Sequence, residues 1–150
     1  MESTVQDVAA LLAGCSDAIA FTGAGISVES GIPDFRSPGG LWDRFDPTEY
    51  AHIATFLREP ARSWEMFLAV EQLLDQAEPN PGHQALVDLE EAGILRSVVT
   101  QNIDGLHQAA GSRVVHEFHG THAELHCVDC GRRYSRERAQ ETIPPHCSCG

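Results

Sequence analysis

The chain has 150 residues, enough for one domain with a core of its own, and its 42% apolar content argues against disorder. Its net charge of −12, from 22 acidic against 10 basic residues, argues against a duplex nucleic-acid binder, which needs a cationic face to displace counterions. No stretch approaches the run of about 18 apolar residues that a membrane span requires.

Met1-Glu2-Ser3-Thr4 lacks a basic stretch followed by an apolar one, so no signal peptide is expected. Ser3 and Thr4 are placed to cap a first helix, with Gln6 and Asp7 set for a capping box. Val5, Val8, Leu11 and Leu12 share one face of it, and Gly14 ends it. Asp17 to Thr22 reads as a buried parallel strand running directly into Gly23-Ala24-Gly25-Ile26-Ser27. A loop rich in Gly and Pro is expected from Glu29 to Asp46. Pro60 to Glu78 predicts a helix with Trp64, Phe67, Leu68, Leu74 and Ala77 as its apolar stripe. Asn80-Pro81 opens another helix, with Leu86 and Leu89 facing inward and Gly93 as its stop. Ile94 to Thr100 is a second buried strand, Asp104 caps a short helix ending by Gly111, and Val114 to Phe118 is a third strand. From Cys127 onward the chain reads as loop. Cys15, apart from the other cysteines, reads as a small buried apolar residue.

Strands alternating with helices predict an α/β fold, a doubly wound parallel (Rossmann-like) sheet with an inserted helical segment and a small cysteine module. The expected division is 1–122 for the first part of a dinucleotide-binding domain, including the helical segment 41–92, and 123–150 for a metal-binding module.

A strand running into Gly23-Ala24-Gly25 is where such a fold receives a pyrophosphate, because glycines let the backbone approach the anion. Val28 stands where the third glycine of G-x-G-x-x-G belongs, so the ordinary dehydrogenase fingerprint fails. Gln101, Asn102 and Asp104 leave the carboxyl end of the second strand and His119 leaves that of the third. In an open α/β sheet those ends border one crevice.

Cys127-x-x-Cys130 and Cys147-x-Cys149 form two close pairs of thiols, the pattern of a closed tetrahedral zinc site with a structural role. The second pair is one residue tighter than the commonest spacing, which leaves His146 as an alternative fourth ligand. His119, His122 and His126 straddle a strand end and do not share a face. Arg132, Arg133, Arg136 and Arg138 between the pairs read as a solvated loop. Paired cysteines without an export signal point to a reducing, cytoplasmic address.

The order of these motifs resembles the sirtuin family. Its first signature stands as Gly23-Ala24-Gly25-Ile26-Ser27 with Gly31-Ile32-Pro33-Asp34-Phe35-Arg36. Its second stands as Thr100-Gln101-Asn102-Ile103-Asp104, its third as His119-Gly120, and four cysteines follow. The resemblance implies that NAD is consumed as a co-substrate by a protein-lysine deacylase, with an acyl-lysine protein or peptide as the other substrate. The acyl oxygen attacks the nicotinamide ribose, nicotinamide leaves, and the products are free lysine and O-acyl-ADP-ribose. His119 matches the catalytic histidine, a general base toward a ribose hydroxyl, for which a residue titrating near neutral pH is suited. Asn102, also counted as catalytic, and Asp104 match residues holding the ribose and the nicotinamide amide, beside Gln101 and Ile103. Phe35 matches an aromatic that shields the reactive ribose from returning nicotinamide. Gly23, Ala24, Gly25, Ser27, Pro33, Asp34 and Arg36 complete the expected NAD contacts, on a loop expected to order when NAD binds. Relatives that take acidic acyl groups carry Tyr-x-x-Arg after this loop. Here Tyr50 is followed by Ile53, which favours acetyl. The rival readings are a mono-ADP-ribosyltransferase using the same pocket and a non-catalytic, zinc-stapled interaction fragment. Complete sirtuins continue well past Gly150, so the expectation is a longer native protein or a piece inactive alone. The chain contains no lysine, so this segment cannot be its own substrate.

Overall fold

The computed structural model describes residues 2–149, with side chains except at positions 2, 3, 139 and 140. The elements in chain order are α1 (Glu2–Ala13), β1 (Ala18–Thr22), α2 (Leu41–Arg44), α3 (Pro47–Tyr50), α4 (Ile53–Arg58), α5 (Pro60–Leu74), α6 (Pro81–Glu91), β2 (Leu95–Thr100), α7 (Leu106–Ala110), β3 (Val115–Glu117), β4 (Glu124–His126) and β5 (Arg133–Ser135), with 3-10 turns over Ala24–Ser30 and Arg136–Gln140. They form two compact units, one of Met1–Ser30 with Glu78–Gly120 and one of Gly31–Ala77 with Thr121–Gly150. The units are drawn differently from the sequence-based domains: residues 31–77 group with the cysteine segment.

In the first unit β1, β2 and β3 make a parallel sheet in the order β1-β2-β3. Thr22 pairs with Thr100, and Thr100 with Glu117, so all three strands end at one level. The core gathers on β2, where Val98 is fully buried, with Leu95, Val87 of α6 and Leu106 of α7 nearly so. Apolar burial at about 25 cal/mol per Å² is the main force holding α6 to the sheet. The start of α6 is set by Asn80, whose side-chain oxygen accepts from the amides of Gly82 and His83, while His83 accepts from the Asn80 amide. His83 thereby takes the place that Glu or Gln holds in the usual capping box.

Several sequence expectations are corrected here. β1 is only half-buried: Ile19 and Phe21 on alternate positions are 60% and 70% exposed. The apolar residues of α1 are exposed too, Val5 at 69% and Leu11 at 72%. That helix begins at Glu2, so Thr4 lies inside it and caps nothing; the Ser3 side chain is outside the described residues. Cys15 is exposed, because it sits in the turn closing α1 with its sulfur directed to the Leu11 carbonyl. On α6 the buried side chains are His83, Val87 and Glu90, with Leu86 and Leu89 half-buried. Gly105, in the left-handed region at φ 71°, holds the cap position of α7, although Asp104 still accepts from the Leu106 amide at 3.0 Å. The strand expected over Val114 to Phe118 shortens to Val115–Glu117.

In the second unit α5 packs on α4 and α3, burying Trp64, Met66 and Leu74. It ends at Leu74, with Asp75 as its cap, rather than at Glu78, the position that Pro79 keeps out of helical backbone. The expected loop of residues 29–46 contains α2, and α3 and α4 follow it. The segment expected to be loop after Cys127 is instead bordered by an antiparallel hairpin, β4 with β5, in which Leu125 faces Tyr134. Arg136, just past β5, donates to Glu71 at 2.7 Å and to Asp75, both on or beside the last turn of α5. No helix among the described residues is long and apolar enough to cross a membrane.

Candidate functional site

The parallel strands deliver three motifs to one end of the first unit. Gly23 follows β1, Gln101 follows β2 and His119 lies two residues past β3. The Gln101 amide donates to the Thr22 carbonyl and the Phe118 amide to the Thr100 carbonyl, which extends the ladder into the exit loops. Asn102 ties the first two loops together: its side-chain amide donates to the Gly23 carbonyl at 3.2 Å and to the Ser27 hydroxyl at 3.0 Å. Ser27, 1% exposed, donates its hydroxyl to Asp104 at 2.7 Å. Asp104 is itself buried and uses its second oxygen on the Leu106 amide, so both oxygens are committed within the chain. Ser27 and Asp104 thus brace the site from beneath, while Gln101, Ile103 and His119 stand at its surface. His119 rests edge-on against the Phe118 ring, with centroids 5.1 Å apart.

At Gly23 and Gly25 an added Cβ would meet nothing within 4 Å, and neither residue has positive φ. Nothing in the chain's own packing calls for glycine there. A bare backbone is what a ligand requires if it is to reach the amides closely. With Asn102 bonded to it, this bend fits the pyrophosphate and ribose of a dinucleotide, and the exposed His119 leaves the strand next to the one that carries Asn102.

Sequence reasoning missed the layer behind the site. His83 and His107 are 0% and 1% exposed, with ring centroids 4.9 Å apart. His107 Nε2 lies 2.8 Å from the Thr22 hydroxyl, and Asn80 donates to the Ile26 carbonyl and the Ser30 hydroxyl, which pins the glycine bend. The pattern Asn80-x-x-His83 and the Asp104-x-x-His107 spacing were the available signals. Burial pushes both imidazoles below their ordinary range. The neighbouring His83 pushes His107 further down, and Asp104 pulls each partly back. Both rings are therefore neutral in the folded chain at neutral pH, and just below about pH 6.5 the unfolded chain takes up protons that the folded one still refuses. The stability from this pair is complete above about pH 6.5 and is lost as pH falls through the lowered folded values. Urea midpoints measured from pH 8 to pH 5 should drop in that window, and His107→Gln should reduce the slope, by one proton at most. A midpoint flat across the window would contradict the buried neutral pair.

The motif Gly31 to Arg36 belongs to the second unit. Its loop is closed on itself rather than open. Asp34 accepts from the Ser37 hydroxyl at 2.6 Å and from the amides of Ser37 and Arg36, which hold its carboxyl below the usual range. Leu41 and Trp42 donate to the carbonyls of Asp34 and Phe35. A Cβ on Gly40 would lie 2.6 Å from the Asp34 carbonyl oxygen, so only glycine fits. Phe35 packs on Trp42 at 5.0 Å and is 46% exposed, Pro33 is half-buried and Arg36 is exposed.

The sulfurs of Cys127, Cys130, Cys147 and Cys149 lie within 4.8 Å of one another, with Cys127 to Cys149 at 3.5 Å and Cys130 to Cys147 at 3.6 Å. A tetrahedron with Zn–S near 2.3 Å places its sulfurs about 3.8 Å apart, so the four thiols fit zinc. Among the described residues His146 is not part of the cluster, and no histidine set joins it. The thiols cannot all ionise unaided. The Tyr134 hydroxyl and the Cys149 amide hold Cys147 down to about 6, while crowding by Cys147 and Cys127 pushes Cys149 up to about 12. A divalent cation resolves that conflict by accepting all four as thiolates.

Residues 23–150 match the Sir2 family model. The chain is 48% identical to NAD-dependent protein deacylase 2 of Pyrobaculum aerophilum, covering 97% of this chain and 59% of that protein. It is 48% identical to NAD-dependent protein deacetylase of Sulfurisphaera tokodaii, covering 93% and 58%. A solved Sir2 structure with a deacetylated p53 peptide and 3′-O-acetyl ADP ribose is 35% identical, with a TM-score of 0.82, covering 94% of this chain and 57% of that one. The chain thus spans under two thirds of the length of these relatives.

Proposed function

This chain belongs to the Sir2 family, and from that membership we propose that it forms part of an NAD-dependent protein-lysine deacylase, acting on acetyl-lysine and yielding nicotinamide and O-acyl-ADP-ribose. The observation that carries the reading is the Asn102 bridge from the bare Gly23 bend to Ser27, beside a histidine leaving the adjacent strand.

In this reading the Gly23-Ala24-Gly25 amides face the pyrophosphate. Asn102 orients the nicotinamide ribose, beside Gln101 and Ile103. Ser27 and Asp104 act through Asn102 and the bend, holding both in place. His119, exposed at the strand end, takes the proton from a ribose hydroxyl. Pro33, Asp34, Phe35 and Arg36 are assigned to NAD on the motif they spell. The relatives' names and the acetyl ADP ribose bound in the solved structure support the substrate and product classes. Residues 1–122 then serve the nucleotide and 123–150 the structural zinc. A reducing, cytoplasmic address suits four thiolates that must stay unoxidised.

The test is nicotinamide release from NAD by the full-length protein with acetylated and succinylated lysine peptides side by side. Acetyl peptide is expected to turn over faster, because no arginine stands three residues after Tyr50, and the nearby Arg62 is engaged by Glu49 at 2.5 Å. Faster succinyl turnover would overturn the acyl assignment. ADP-ribose attached to a protein, without O-acyl-ADP-ribose, would favour a mono-ADP-ribosyltransferase instead.

A further inference from the structure

The metal ligands have a partner that the cysteine spacing does not announce. Tyr134 of β5 is half-buried, and its phenolic oxygen lies 3.0 Å from Cys147 Sγ. A free thiol could donate to that oxygen. A metal-bound thiolate can only accept, so in the loaded site the phenol must donate to the sulfur. Four thiolates on one divalent ion carry a net negative charge, and a donor aimed at one of them spreads part of it. The Arg132 guanidinium lies near the same phenol and near the sulfurs of Cys147 and Cys130.

The ring is fixed independently of its hydroxyl. It faces Leu125 across the hairpin, and the Arg138 guanidinium sits 5.7 Å from its centroid. Removing the oxygen alone should therefore leave the ring where it is.

We propose that Tyr134 is a positioning residue for the metal: its hydroxyl donates to Cys147 Sγ, orients that sulfur on the ion and slows the ion's escape. The inference rests on the reading of the four cysteines as a zinc site. Hydrogen-bonding partners behind metal ligands typically change metal affinity by about 10–100-fold.

The experiment uses zinc-loaded full-length protein, with Tyr134→Phe and Arg138→Ala as variants, and follows zinc transfer to an excess of a chromogenic chelator. Tyr134→Phe is expected to release zinc about 10-fold faster. Arg138→Ala, which removes the cation beside the ring and its exposed ion pair with Glu141 but leaves the phenol and the Leu125 contact, should release it at the parent rate. With cobalt(II) in place of zinc, the sulfur-to-metal charge-transfer band of Tyr134→Phe should move to lower energy, since a thiolate that loses a hydrogen bond is the better electron donor. Unchanged release would overturn the proposal. So would faster release without a band shift, which would mark a loosened hairpin rather than a lost bond to sulfur. If the parent protein's cobalt form lacks the thiolate bands altogether, the zinc reading itself has failed, and the failure is distinguishable from that of Tyr134.

Discussion

His119→Ala is expected to lower formation of O-acyl-ADP-ribose by about 10²–10⁴-fold, the range that a positioned general base supplies. In the proposed reaction the base acts on a ribose hydroxyl after nicotinamide has left. The variant should therefore still exchange labelled nicotinamide into NAD in the presence of acetyl peptide, while the acyl product disappears from the mass spectrum. This split separates a chemical role from a structural one. His119 is exposed at the end of β3 and its ring touches Phe118, so its removal costs little packing and the melting temperature should hardly move. Normal product formation by the variant would take the base's role away from His119. Asn102→Ala should behave differently and lose both exchange and product, because it frees the Gly23 carbonyl and Ser27 together.

Stripping zinc is the second large effect. The strands β4 and β5 are three residues each, and most side chains of residues 124–138 are exposed or half-buried, so the hairpin has little apolar burial of its own. Structural zinc in small modules contributes about 10–16 kcal/mol of binding free energy at neutral pH, more than a whole domain's usual margin. A strong chelator, or Cys147→Ser, is expected to unfold residues 121–150 and to expose them to protease. Because thiolates must be formed for binding, retention should weaken on acidification. Limited proteolysis with and without chelator checks the expectation, and resistance to cleavage after complete zinc loss would refute it.

Which segments leave the carboxyl edge of the sheet was more legible in the residues than the packing around them. The placement of Gly23-Ala24-Gly25, Gln101 to Asp104 and His119 at one edge could be read because each follows a strand, and parallel strands share one carboxyl edge. The four cysteines were legible from spacing, since four thiols near one another have few uses. Less visible was anything decided by what lies across the contact. Val5, Val8 and Leu11 have helical spacing, yet spacing does not say whether a surface meets them. The hairpin β4 and β5 escaped notice because three-residue strands carry almost no periodic signal. In the sequence His83 is one polar residue in a helix's first turn, and only the capping geometry and the His107 ring show why it is buried.

The Arg136 clasp has a genetic corollary. Glu71 and Arg136 stand 65 positions apart, yet they share one ion pair in which both side chains are about four-fifths covered. Damage at the two should overlap without being equal: a chain already altered at Glu71 loses less than the parent does when Arg136 is replaced, because only the Asp75 contact is left to break. A screen for lesions of the cysteine hairpin would therefore collect hits on a helix that supplies no thiol, and their epistasis would map the hairpin's true perimeter.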